Sequence, residues 1–237
     1  MTEQATAAPV AERTGAQDGL VDLMESRAQT YGLLARLYRV EVDQELFDAM
    51  RAMRFPTNTG NAHVDEGYTL IYKYLKNGWS ESLLDLARDY VRTFIGHGVN
   101  GHSAAYPYES VHTSEKRLMM QEARAEVLSV YRANDLKKDV GWRECEDHIA
   151  VELEFMQIMC LRTAEALRKG DEDAAAGLLR TQLDFVHDHL LNWVPMLASD
   201  MLHFSETELY RGLAELTLGF VQTEGEVLED LLQGVDA

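Results

Sequence analysis

A chain of 237 residues with 46% hydrophobic side chains has material for one large core or two small ones, and 40 acidic against 22 basic residues leave a formal net charge of −18. That balance argues against a nucleic-acid surface, which needs clustered cations to displace counterions from phosphate, and favours a basic partner. No stretch reaches about 18 consecutive apolar residues, so no stable membrane insertion is expected, and two cysteines, Cys145 and Cys160, without CxxC spacing point to a reducing compartment.

The start, MTEQATAAPVAERTGAQDG, has neither a basic opening nor an apolar stretch, so residues 1–19 read as a disordered tail rather than a secretory signal, and the protein as cytoplasmic. From Leu20 the apolar residues Leu20, Met24, Tyr31, Leu34 and Tyr38 recur at helical spacing to about Val40, and Leu46, Met50 and Met53 mark a second, short helix. FPTNTGNAH is a loop, followed by helices over DEGYTLIYKYL and ESLLDLARDYVRTFI that part at Asn77 and Gly78. The segment GHGVNGHSAAYPYES is irregular. Its Gly96, Gly98 and Gly101 match GxGxxG literally, but a helix rather than a strand precedes them, so the match carries no nucleotide site.

Met120, Ala123, Val127 and Val130 then predict a helix from about Ser114 to Ala133, broken by NDLKKDVGW. The stretch WRECEDHIAVELEFM opens the next helix, whose stripe is Ile149, Leu153, Met156, Cys160, Ala164 and Leu167. RKGDED ends it, and another helix runs through Leu179, Leu183, Val186, Leu190 and Trp193 to stop near Pro195. SETE, Ser205 to Glu208, fits a capping box before a last helix with Leu209, Leu213, Leu216, Phe220 and Val227/Leu228 inward despite Gly212 and Gly219. With no strand signal and no fixed-period repeat, the expectation is an irregular all-α, single-domain bundle of roughly eight to eleven helices.

The acids Glu144, Glu146 and Asp147 sit where a helix begins, and the unpaired amides and dipole there are a sufficient structural reason for them. His148 lies one turn before Glu152, in reach of an i,i+4 pair, and spacing alone favours a structural imidazole. The alternative is a helical-bundle metalloenzyme using His148, Glu152 and either His187 or His189. Such sites want Glu-x-x-His on two helices, whereas three residues before His148, His187 and His189 stand Cys145, Asp184 and Val186. There is no GxSxG elbow and no catalytic cysteine signature, so the residues assign neither an enzyme nor a cofactor.

Three stretches, in order, carry a family resemblance: DYVRTFIG…AAYPYESVHTSEKRLMM, ECEDHIAVELEFM and FVHDHLLNWVPMLASDM. Together they resemble the TorD/DmsD/NarJ family of redox-enzyme maturation chaperones, from about Ser26 to the last helix. One departure is Cys145, where family members often carry a proline that pre-sets the helix entry. The resemblance implies a TorD-like all-helical chaperone domain over 20–237, cytoplasmic and non-enzymatic. It would bind the twin-arginine leader, and the apo body, of a molybdopterin oxidoreductase subunit while cofactor is inserted and export is delayed. The implied peptide-binding residues are Glu144, Asp147 and His148, with Tyr106, Tyr108, Glu109 and Ser110 close by. A leader offers an arginine pair and then an apolar run, so carboxylates for guanidinium forks and an adaptable apolar surface are the chemistry required. On this reading Asp147→Ala harms peptide binding with little loss of fold. The long loop 96–113 is a hinge through which protomers could exchange halves, leaving a monomer or a domain-swapped dimer.

Overall fold

Apolar residues repeating every three or four positions form helices that bury one stripe each, and the computed structural model, which describes residues 15–78, 82–96 and 103–235, is built from them. The helices are α1 (Gly15–Arg39), α2 (Gln44–Ala52), α3 (Ala62–Lys76), α4 (Ser82–Tyr90), α5 (Glu109–Thr113), α6 (Glu122–Ala133), α7 (Ile149–Lys169), α8 (Glu172–Phe185), α9 (Leu191–Phe204) and α10 (Glu208–Val235). A π-helical stretch, Val91–Ile95, prolongs α4, and another, Val186–Leu190, joins α8 to α9 without a break. Among the described residues there is no strand, and an isolated antiparallel bridge joins Tyr108 to His148.

α1 lies along α7 and α3 along α10, while α8 packs on both α7 and α10. Tyr31, Leu34, Leu153, Met156, Trp193 and Tyr210 are completely buried between them. A buried ion pair, Arg27 to Glu224 at 2.6 Å, ties α1 to α10. α3 and α10 cross closely enough that a Cβ on Gly212 would lie 2.7 Å from the Gly67 carbonyl oxygen, and one on Gly67 would lie 2.6 Å from Leu216 N. Glycine in these helices is therefore the condition for their contact, which outweighs its weak helix propensity.

The structure departs from the sequence expectations at identifiable places. α1 begins at Gly15, inside the segment expected as tail, and the remainder of that expectation, 1–14, lies outside the described residues. Gly98 and Gly101 also lie outside them, and the expected loop 96–113 contains α5. Residues 114–121 are not helical: Arg117 and Met120 adopt φ of 49° and 60°, so α6 starts only at Glu122. Pro195 does not stop a helix but sits inside α9, where the burial of Trp193, Val194, Leu197, Ala198 and Met201 outweighs one lost backbone bond. The capping box at Ser205 does not form, because Ser205 Oγ donates to Met201 O at 2.6 Å. The start of α10 is held instead by Asp89, which accepts from Glu206 N at 3.0 Å and Thr207 N at 2.7 Å.

Candidate functional site

Pro107 to Ser110, Asp147 to Ile149 and the middle of the long helix formed by α8 and α9, at His189 and Trp193, come together in one cluster. Glu109 N donates to Asp147 O and Ile149 N to Pro107 O, both at 2.9 Å, which pairs the two backbones across the Tyr108–His148 bridge. This pairing, with a turn closed from His148 N to Cys145 O at 3.3 Å, keeps Glu146 and Asp147 out of the helix. α7 therefore begins at Ile149, later than expected, and Glu144, Glu146 and Asp147 precede the helix. His148 is its N-cap, with Nδ1 accepting from Ala150 N at 3.0 Å.

The side chains make a second layer of ties. Asp147 is wholly buried, and its Oδ2 accepts from Ser110 N at 3.0 Å, while its Oδ1 is buried with no hydrogen-bond partner among the described residues. Glu109, also buried, lies 3.1 Å from His189 Nδ1. Trp193 Nε1 donates to Glu152 Oε2 at 3.0 Å, and the His112 ring stacks on Trp193 with centroids 5.4 Å apart. His112 Nε2 in turn meets Tyr106 O at 2.9 Å. Burial first, and then the charge of Glu109, pushes the Glu152 carboxyl well above the usual carboxylate range.

His148 sits edge-on to Tyr108 and to Trp142, with ring centroids at 5.1 and 4.8 Å. Burial, with a smaller contribution from Arg39, lowers its pKa to about 3, so it is a neutral cap. Glu144 accepts from the Tyr108 hydroxyl and remains partly exposed, as does Tyr106. Glu146 pairs with Arg124 of α6 at 2.6 Å. Cys145 is buried in the turn before α7, and that burial pushes its thiol up, away from the reactive thiolate.

All seven sequence-predicted residues, Tyr106, Tyr108, Glu109, Ser110, Glu144, Asp147 and His148, thus gather at one place. They divide into a partly exposed edge, Glu144 and Tyr106, and an interior of Tyr108, Glu109, Ser110, Asp147 and His148. Because Asp147 holds a buried amide, the expectation that its removal leaves the fold intact is revised. The sequence reading missed Glu152, His112, His189 and Trp193 as members of the cluster. The i,i+4 spacing of His189 and Trp193 in a motif already singled out was the available signal.

The four side chains of the metalloenzyme alternative have separate engagements. His148 caps α7 and Glu152 takes the Trp193 donor; His189 meets Glu109, and His187 lies on the exposed side, 3.4 Å from Glu229. Among the described residues no group of three or more His, Cys, Asp or Glu is placed to hold a metal ion. Among them, too, no helix is long and apolar enough to cross a membrane.

Comparison with known proteins gives the chain its relatives. The chain is 25% identical over 217 residues to a protein named chaperone protein TorD from Vibrio cholerae serotype O1, covering 89% of this chain and 96% of the relative. It is 26% identical over 222 residues to the TorD chaperone of Shewanella sp. strain ANA-3, covering 90% and 98%, and 28% identical over 148 residues to that of Photobacterium profundum, covering 62% and 66%. The family described as nitrate reductase delta subunit matches residues 59–199, a span that takes in the first two motifs, the third as far as Ser199, and every residue of the cluster. The chain therefore belongs to the nitrate reductase delta subunit family, the TorD/NarJ group of redox-enzyme maturation chaperones.

Proposed function

We propose that this protein is a cytoplasmic, non-enzymatic chaperone that binds the twin-arginine leader, and the apo body, of a molybdopterin oxidoreductase subunit, assists cofactor insertion and delays export. The observation that carries the reading is the convergence of the three family motifs on one buried cluster whose partly exposed rim carries Glu144. Glu144 and Tyr106 are the members of the cluster a peptide reaches first, and Glu144 offers a carboxylate to a guanidinium. Tyr108 sets the carboxylate's direction through its hydroxyl. Asp147, Glu109, Ser110 and His148 act behind this edge by fixing the strap 107–110 against the start of α7, and they meet peptide directly only where the strap lifts.

The test is Glu144→Gln, which preserves size and hydrogen bonding and removes charge. Binding of a molybdoenzyme leader, measured by fluorescence anisotropy, is expected to weaken about tenfold and to lose part of its salt dependence, as for a charge-assisted pair. Equal affinity and equal salt dependence in the two proteins would reject Glu144 as the arginine partner.

A further inference from the structure

Leu118, Met119 and Met120 stand in succession on the connection between α5 and α6, and they are 55%, 40% and 64% exposed. Single apolar residues at a surface need no explanation, but three adjacent large ones do. The backbone that presents them is unusual as well. Arg117 and Met120 lie in the left-handed region, at φ of 49° and 60°, where L side chains other than Asn and Asp are rarely found. The chain holds these side chains in water in an unfavourable conformation, and outliers of this kind cluster where function requires them.

The segment is fixed at both ends. Arg117 N donates to Ser114 O at 3.1 Å, Gln121 N to Ser110 Oγ at 3.1 Å, and Gln121 Nε2 to Met119 O at 2.9 Å. Ser110 is the residue whose amide is held by Asp147, and α6, which follows directly, sends Arg124 to Glu146. The exposed apolar tip is thus tied, through Gln121 and Ser110, to Asp147 behind the edge, while Arg124 of α6 meets Glu146, two positions from Glu144. A ligand complementary to both has cations followed directly by an apolar stretch. Thioether side chains adapt to apolar runs of varied sequence.

We propose that Leu118, Met119 and Met120 form the seat for the apolar run that follows the arginine pair of the leader. This rests on the leader reading above and adds to it the part of the surface that accepts the run.

The test compares the full chain with Met119→Gln/Met120→Gln and with Met120→Gly. Two synthetic leaders are titrated against each: one natural, and one with its apolar run replaced by Ser and Gly. The glutamine variant is expected to bind the natural leader roughly tenfold more weakly, the loss that accompanies one or two unburied methionines. It should bind the Ser/Gly leader as the parent does. Met120→Gly removes the left-handed strain, so its Tm is expected to hold or rise while its affinity for the natural leader falls. A purely structural segment would not separate these two effects. The proposal is overturned if the glutamine variant binds the natural leader normally, if it weakens both leaders equally, or if Tm and affinity fall together in Met120→Gly. Sedimentation showing that the variant disrupts self-association, with leader binding intact, would assign the patch to a second copy and likewise overturn it. If the parent protein binds no leader at all, it is the leader reading that fails, and the proposal falls with it.

Discussion

Asp147 is the residue at which the structure most changes what a substitution should do. Its side chain is wholly buried and Oδ2 accepts from the Ser110 amide, a bond 37 positions long that pins the strap to the start of α7. Asp147→Ala leaves that amide buried without an acceptor, a loss of about 1–3 kcal/mol. Part of this is offset, because a carboxylate leaves a region that also holds Glu109 and Glu152. Asp147→Asn keeps an oxygen acceptor and removes only the charge, so it should lie within about 1 kcal/mol of the parent. Urea denaturation of the full chain, followed by circular dichroism, distinguishes the two: the Ala variant unfolds at clearly lower denaturant with an unchanged m-value, and the Asn variant does not. An Ala variant as stable as the parent would show that the bond does not hold the strap, and an Asn variant as damaged as Ala would show that charge, not the amide, is what Asp147 serves.

Other substitutions probe the remaining supports. Leu153→Ala, at a completely buried position of α7, should cost on the order of 2–5 kcal/mol in the same assay by leaving a cavity. Asp89→Ala removes the buried carboxylate that holds the start of α10 and should lower stability by about 2 kcal/mol, with faster amide exchange at Glu206 and Thr207 as its local signature. His148→Asn keeps an N-cap acceptor but cannot titrate. The native pKa of His148 is lowered to about 3 by burial, below an unfolded value of about 6.5. In that window the unfolded chain therefore binds the extra proton. The stability of the parent relative to the Asn variant is full above pH 6.5 and should fall as pH drops toward 3, by up to about 1.4 kcal/mol per pH unit. Glu152 works in the opposite direction, since its raised pKa stabilises the fold below the unfolded value and is lost as pH rises through the native one, but it is common to both proteins and cancels in the difference. Parallel pH profiles for the two would contradict a buried neutral His148.

The helices were legible because a buried stripe leaves a three-or-four spacing that no turn residue interrupts, as in Ile149, Leu153, Met156 and Cys160. What the sequence hid is non-local. Three acids before an apolar stripe look the same whether they form the first turn of a helix or a separate turn ahead of it. The difference here is made by Pro107 and Glu109, whose backbones pair with Ile149 and Asp147 from a distant part of the chain. Ser205 had the right residues around it for a cap, but Asp89 reaches the amides of Glu206 and Thr207 from α4. Gly212 reads as a weak point of its helix until its close approach to Gly67 of α3 is seen. At the site, residue types and spacing found the cluster but not its depth. A carboxylate that satisfies a remote buried amide has the same local sequence as one that waits for a ligand, which is why Asp147 and Glu144 looked alike.

The most direct measurement of the central claim is a fluorescence-anisotropy titration of the full chain with molybdoenzyme leader peptides from its own organism, each beside a control with both arginines replaced by alanine. Saturable binding of one leader, weakened in its control and by Glu144→Gln, is the predicted result and identifies the client. A folded protein that binds none of the leaders, or binds each as well as its control, would contradict the claim that this acidic edge receives a twin-arginine peptide.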